Sequence, residues 1–128
     1  PETDAVIAAV GGGGLVSGLA LAVKSIKPEC KVYGVQSMNA PAMYNSFRAH
    51  QLMASQSADT FADGIAVKAP GNITYDCISK YVDDIALATE DEIAAAVLML
   101  LEKQKIVAEG AGASPVAAAY FEAMQKKR

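Results

Sequence analysis

Tryptophan is absent from this chain of 128 residues, histidine occurs once, cysteine twice, and aromatic side chains make up only 6 %. Each shortage removes a class of chemistry. The two cysteines, Cys30 and Cys77, follow no metal-ligand spacing and are too few for a disulfide framework, so both read as reduced thiols. His50, the sole imidazole, lies in the polar stretch 46–51 and reads as a solvated loop residue rather than a ligand or a base. Positive charge is also in short supply. Eleven Lys and Arg against 14 Asp and Glu leave a net charge of -3, which argues against a nucleic-acid or anionic-membrane surface. No stretch approaches the ~18 apolar residues of a membrane-spanning helix, and no charged start with an apolar signal core is present, so the cytoplasm is the default expectation. At 52 % hydrophobic residues the chain has the size and apolar content of a single domain whose core needs neither metals nor cross-links.

What the chain does have is glycine, concentrated at one point. Gly11, Gly12, Gly13 and Gly14 stand between an apolar strand-like run, residues 5–10, and a helix-like run from Leu15 to Lys27. Without Cβ atoms the backbone can turn sharply and present several N–H groups to one bound group, and the following helix N-terminus adds its partial positive charge. Phosphate suits such a place. Leu15, Val16, Leu19, Ala22, Val23 and Ile26 recur at helical spacing, Lys24 and Lys27 fall in the last turn, and Pro28 ends the run before a second strand at 31–35. Strand, glycine loop, helix and strand make a parallel crossover unit, with the loop at the carboxyl end of its first strand, where open α/β sheets bind ligands. A P-loop would need Gly-Lys-Ser/Thr where Gly14 is followed by Leu15-Val16-Ser17. A dinucleotide fingerprint would need glycine where Val16 stands and a carboxylate where Gln36 stands.

Further along, residues 40–49 form a short helix with Met43 and Phe47 on one side, and 51–61 is a polar surface connection. Ala62-Asp63-Gly64 is a turn leading into an extended piece at 65–67, and Pro70-Gly71-Asn72 is a second turn before a helix at 73–81. Residues 83–88 alternate as a third strand. Thr89 with Glu92 is a capping box opening an alanine-rich helix to about Lys105, and a last helix ends in Lys126-Lys127-Arg128. The order of elements is α/β, a partial open parallel sheet flanked by helices.

Six segments then combine: Gly-Gly-Gly-Gly-Leu-Val-Ser-Gly (11–18), Val-Tyr-Gly-Val-Gln-Ser (32–37), Ala-Asp-Gly-Ile-Ala-Val (62–67), Pro-Gly-Asn-Ile-Thr-Tyr (70–75), Val-Asp-Asp-Ile (82–85) with Glu-Asp-Glu-Ile (90–93), and Val-Ala-Glu-Gly-Ala-Gly-Ala (107–113). In this order and spacing the chain resembles the second half of the catalytic region of the threonine/serine dehydratase family of pyridoxal-phosphate enzymes, which also holds serine racemase. The Gln-Ser pair and Pro-Gly-Asn-Ile-Thr-Tyr are most similar to the short catabolic dehydratases. The resemblance implies that residues 1–128 are one segment of the large domain of a fold-type II enzyme. It also implies that Gly11, Gly12, Gly13 and Gly14 hold the 5′-phosphate of pyridoxal phosphate, that Gly64 lies close to the ring hydroxyl, and that Glu109 is a catalytic carboxylate near cofactor and substrate. The residues alone leave plainer alternatives open: Glu109 beside two glycines can cap a helix, and Asp63 can close a turn.

Departures from the family pattern set limits. The cofactor-binding lysine belongs there to a Ser-Phe/Tyr-Lys motif upstream of the glycine loop, and only ten residues precede the loop here. Ser46-Phe47-Arg48 is a decoy, because a guanidinium stays protonated and cannot attack an aldehyde. The Ser-Gly-Gly-Asn segment that meets the pyridine nitrogen falls after the last helix in the family and is absent from these residues. The chain therefore reads as a fragment without dehydratase activity of its own. A cation site of several relatives would need acidic groups where Gln36, Ala40 and Ala42 stand, so no magnesium or calcium is expected there. The whole enzyme is expected to act on a small amino acid, L-threonine or L-serine, giving a 2-oxo acid and ammonia, as a homo-oligomer. Racemisation of serine is the alternative within the fold, and a noncatalytic phosphate- or nucleotide-binding module is the alternative outside it. With half of the domain absent, Val6, Val35 and Ile85 are expected to lose their cover.

Overall fold

The computed structural model describes residues 2–125, with side chains through Glu122; the basic end 126–128 of the last expected helix lies outside the described residues. Three strands, β1 (Ala5–Ala9), β2 (Lys31–Ser37) and β3 (Asp84–Ala88), form one parallel sheet in the order β1-β2-β3. Ala5 pairs with Lys31 through to Ala9 with Val35, and Tyr33 pairs with Asp84 through to Ser37 with Ala88. Helix α1 (Gly14–Ile26) crosses from β1 to β2. Helices α2 (Ala42–Ala49) and α3 (Asn72–Tyr81) precede β3, and α4 (Glu90–Met99) and α5 (Gly110–Gln125) follow it. The structure thus has the expected α/β architecture.

Alternation along the strands sends side chains to two separate cores. Val32 on β2, Val10 after β1 and Ile85 on β3 pack with Val16 and Ala20 of α1, Met43 of α2 and Ile78 of α3. Val35 and Ala88 face the other way, onto α4 and α5, in a core built largely of alanine: Ala96, Ala111, Ala113, Ala117 and Ala118. Small side chains let these helices lie close to the sheet and to each other. The expectation that Val35 and Ile85 lose their cover is corrected, since α5 on one face and the α1 to α3 layer on the other leave them 0 % and 1 % exposed. Exposure falls instead on Ile7, at 37 %, while Val6 is half-buried.

Local chemistry sets the element ends. Thr89 Oγ1 accepts from the Glu92 N–H at 3.2 Å and Glu92 Oε2 accepts from the Thr89 N–H at 2.9 Å, the reciprocal capping box expected there. Helix α4 stops being α-helical earlier than expected, at Met99, and Leu100–Gln104 continues as a π turn closed by Lys105 in the left-handed region. Residues 65–67 are not extended: Asp63–Ile65 is a single 3-10 turn that buries Ile65. In α1 the buried stripe is Val16, Ser17 and Ala20, with Leu19 and Val23 beside it; Leu15, Ala22 and Ile26, which share the apolar period, point to solvent. In α5, Pro115 cannot donate to the Ala111 carbonyl, and the Ser114 hydroxyl donates to it instead at 2.8 Å.

Behind the sheet, Asp83 staples β2 to the end of α1. Its Oδ2 accepts from Lys24 Nζ at 2.7 Å and from the Val32 N–H at 2.8 Å, and Oδ1 accepts from Lys31 Nζ at 3.1 Å. Burial, the largest single influence, pushes the Asp83 pKa up, but these hydrogen bonds and the Lys24 charge together outweigh it and hold it at about 2.

Candidate functional site

The chain leaves β1 at its carboxyl end and enters α1 through Gly11–Gly13, with Gly13 at the helix N-cap in the left-handed region at φ 94°. No side chain caps this helix. Every carbonyl of the loop is tied off. Gln36 Nε2 donates to Val10 O at 3.0 Å and lies 3.4 Å from Gly11 O, Thr74 Oγ1 donates to Gly12 O at 2.6 Å, and the Ser17 N–H donates to Gly13 O at 3.0 Å. In a trans peptide the carbonyl and the following N–H point in opposite directions. Fixing the carbonyls of Gly11, Gly12 and Gly13 therefore aims the N–H groups of Gly12, Gly13 and Gly14 together, away from the protein behind them. Among the described residues the N–H groups of Gly11, Gly12 and Gly13 meet no acceptor, and Gly14, in the first turn of α1, has no intrahelical one.

These donors open onto a cleft of about 360 Å³ lined by Ala9, Gly11–Gly14, Leu15, Gly64, Ile65, Glu109, Ala111 and Gly112. Its size is within the ~300–1,000 Å³ of small-molecule sites. All six residues expected at the site are therefore brought to one cleft, from three separate stretches of the sequence. Asp63 is not among them: it is exposed and opens the 3-10 turn.

The second wall is the start of α5. Glu109 precedes that helix, and its carboxylate bends back onto it, Oε2 accepting from the Ala111 N–H at 2.8 Å and Oε1 from the Gly112 N–H at 2.7 Å. The capping alternative is thus realised, and it holds the carboxylate in a fixed place on the cleft wall. The cleft is polar in the electrical sense, with N–H donors and a helix N-terminus on one wall and an acceptor carboxylate on the other. Gly110 lets α5 approach this closely, because a Cβ there would stand 2.9 Å from Ala62 Cα and from Phe61 Cε2.

The fit of a phosphate group can be read from the glycines. A Cβ on Gly12 or Gly14 would meet nothing within 4 Å, so both positions border open space, whereas a Cβ on Gly13 would lie 2.8 Å from Ile78 Cδ1 and 2.9 Å from Met43 Cε. The loop is tight behind and empty in front, with N–H donors around the emptiness. An oxyanion fits there.

A second polar network holds the strand ends. Glu90, at the first turn of α4, accepts through Oε1 from Ser37 Oγ at 2.6 Å and Thr60 Oγ1 at 2.7 Å, and through Oε2 from the Phe61 N–H at 3.0 Å. Burial, its largest influence, raises the Glu90 pKa, but the three donors together lower it. The network fastens residues 60–61 to the sheet and so places the 62–65 segment on the cleft. Elsewhere, His50 is exposed, both cysteines are free thiols, and Arg48 pairs with Asp84 at 2.9 Å. Gln36 and Thr74, which set the loop's orientation, escape a reading of residues as ligands. The available signal is Gln36's place in β2: it shares the parity of Val32 and Gly34, so a polar side chain points into a core.

A family model described as pyridoxal-phosphate dependent enzyme matches residues 1–128. The chain is 51 % identical over 118 residues to the L-threonine ammonia-lyase of Thermotoga maritima, covering 92 % of this chain and 29 % of that protein. It is 45 % identical over 117 residues to the catabolic L-threonine dehydratase of Escherichia coli, covering 91 % and 36 %. The chain thus spans about a third of the length of these relatives. Among solved structures, the T.th. threonine deaminase matches with a TM-score of 0.92 at 34 % identity, over 96 % of this chain and 45 % of that one. The serine racemase of Dictyostelium discoideum matches with a TM-score of 0.89 at 33 % identity, over 98 % and 40 %.

Proposed function

Because the chain belongs to the pyridoxal-phosphate dependent enzyme family, we propose that it is a segment of the cofactor-binding large domain of a threonine/serine dehydratase. In this reading the N–H groups of Gly11, Gly12, Gly13 and Gly14 hold the 5′-phosphate of pyridoxal phosphate, Gly64 borders its ring, and Glu109 faces cofactor and substrate. The observation that carries the reading is the tied-off loop, with carbonyls bound behind and N–H groups free in front, opening on a cleft shared with Glu109.

When bound, the cofactor supplies the electron withdrawal that makes the Cα proton of an amino acid removable and lets its β-hydroxyl leave. The residues of this chain anchor and orient. Rigid donors on the phosphate fix the ring against rotation, which preserves the alignment of reacting groups. The Glu109 carboxylate, locked by two N–H groups of its own helix, offers a stationary acceptor to a donor on the ring or the substrate. Among the described residues no lysine lines the cleft, so in this reading the segment's role is placement. The same resemblance supports a homo-oligomer, and sedimentation of the whole protein would test the assembly.

The test is to incubate the whole protein, loaded with pyridoxal phosphate, with L-threonine and L-serine, and to measure 2-oxo acid and D-serine. Oxo acid is the expected product. D-serine in its place would transfer the site to the racemase reading, which the structural likeness to a serine racemase supports. Failure to retain pyridoxal phosphate at all would remove both.

A further inference from the structure

We propose that Gln36 is the positioning residue of the phosphate loop, a neutral buried amide that aims the loop's N–H groups and couples them to helix α2; the proposal rests on the phosphate-anchoring reading above. Gln36 has no exposed surface, and a buried primary amide is tolerated only where its donors and acceptor are matched. Here they are matched across three elements. Nε2 donates to Val10 O, just beyond the end of β1, and lies near Gly11 O, the first carbonyl of the glycine loop, at 3.0 and 3.4 Å. Oε1 accepts from the Tyr44 N–H at 2.8 Å. The orientation of the amide is unambiguous, since a flipped group would set its oxygen against two carbonyls and its nitrogen against an N–H.

Tyr44 lies in the first turn of α2, whose N-cap, Pro41, provides no side-chain hydrogen bond. Gln36 therefore does two things at once: it caps α2 and it turns the first loop peptides. Glycines have the widest conformational freedom of any residue, so the direction of the Gly11 and Gly12 N–H groups has to be imposed from outside the loop. Gln36 imposes it on this side, as Thr74 does at the next peptide.

The chemistry demands an amide in particular. An ionised carboxylate of the same shape would keep the acceptor toward Tyr44 but set a second oxygen against Val10 O with no proton between them. Protonation would restore the donor. Among the described residues no ionic side chain is placed to supply one. On the elements packed against this face, Lys24 is turned to Asp83 and the Cys30 carbonyl, Arg48 to Asp84, and Lys80 to the Tyr81 ring, while Asp76 is exposed and the Cys77 thiol lies against the Ser17 carbonyl. Tyr44, Tyr75 and Tyr81 border this core.

The experiment compares wild type, Gln36→Glu and Gln36→Leu in the whole protein, with chelator present, measuring the dissociation constant of pyridoxal phosphate from pH 6 to 8.5. The variant-to-wild-type ratio cancels the phosphate's own ionisation near pH ~6. Gln36→Glu is expected to bind about tenfold or more weakly at pH 8.5, converging to within about threefold of wild type at pH 6 as the carboxyl regains its proton. Gln36→Leu is expected to be weak throughout. Hydrogen exchange of the peptide spanning residues 8–20, which carries the bonded Val10 and Ser17 N–H groups, without cofactor, should be faster in Gln36→Glu at the high-pH end and restored at the low-pH end, relative to wild type at each pH. A ratio near one for Gln36→Glu across the range, or a loss independent of pH and equal to that of Gln36→Leu, would overturn the proposal. If wild type itself does not bind pyridoxal phosphate, the functional reading falls, and the exchange pattern alone still decides the role of Gln36.

Discussion

Adding one methyl group at either of two adjacent glycines should produce opposite phenotypes. At Gly13 the backbone sits at φ 94°, where an L side chain adds ~1–3 kcal/mol of strain. The new Cβ would also stand 2.8 Å from Ile78 Cδ1, 2.9 Å from Met43 Cε and 3.0 Å from Thr74 Cβ, so a packed core must shift. Overpacking of that kind costs ~1–3 kcal/mol. The lower entropy of the unfolded alanine chain returns ~0.4–1 kcal/mol, leaving Gly13→Ala less stable by about 1–5 kcal/mol. Gly12 lies outside the left-handed region and its Cβ would meet nothing within 4 Å, so Gly12→Ala should be as stable as wild type or up to ~1 kcal/mol more so. Its methyl nevertheless occupies the cleft, and affinity for pyridoxal phosphate should fall by about tenfold or more, equivalent to ~1.4 kcal/mol. Urea denaturation of the whole protein followed by circular dichroism gives the stabilities, and absorbance titration gives the affinities. A Gly13→Ala variant as stable as wild type would refute the geometry, and a Gly12→Ala variant with undiminished cofactor affinity would refute the cradle.

Two further outcomes follow from the supporting contacts. Because the folded pKa of Asp83, about 2, is below the unfolded 3.8, its stabilisation is complete above the unfolded value and lost as pH falls through the folded one. Asp83→Asn should cost ~1–2 kcal/mol at neutral pH, after allowance for solvent screening, and the two stability curves should approach each other between pH ~4 and ~2; urea midpoints that stay equally far apart in acid would exclude the ion-pair account. Gly110→Ala should destabilise by ~1–3 kcal/mol in the same assay, although alanine is the better helix former by ~1 kcal/mol, because the contact is with the Ala62 backbone. A more stable variant would mean that α5 does not approach residues 61–62 as closely as described.

The parts of this molecule legible in its sequence are those with local causes. The strand run before the glycines, the capping box at Thr89 and Glu92, and the start of α3 just after Pro70-Gly71 each form for reasons confined to a few neighbouring residues, and each lies where the pattern places it, although Gly71 is extended at φ -76° and ψ 149° rather than turned. The glycine loop is legible because four successive residues without side chains serve few purposes besides a tight turn or a close approach. Other features depend on partners far along the chain. Which apolar stripe of α1 is buried depends on the arrival of α3, whose Thr74 carbonyl also receives the Ser17 hydroxyl at 3.3 Å. Gly110-Ala111-Gly112 looks unsuited to a helix, yet Glu109 caps it and Ala62 requires its first glycine. Set beside acidic positions in relatives, Gln36 suggests only a missing charge; its positive role appears with Val10, Gly11 and Tyr44 around it.

The alanine core between the sheet and α5 has an evolutionary consequence. A core of isoleucine and methionine can drift both ways, losing a methylene here and gaining one there, but a core of alanine has almost no volume left to lose. Nearly every substitution at Ala113 or Ala117 is an enlargement, and an enlargement wedges α5 away from the strands. Glu109 travels with that helix, whereas the glycine loop is anchored from the opposite face by Gln36 and Thr74. Changes at positions that touch nothing in the cleft would therefore alter its width, so selection on the width of the cleft should act on the alanines of α5 as strongly as on the residues lining it.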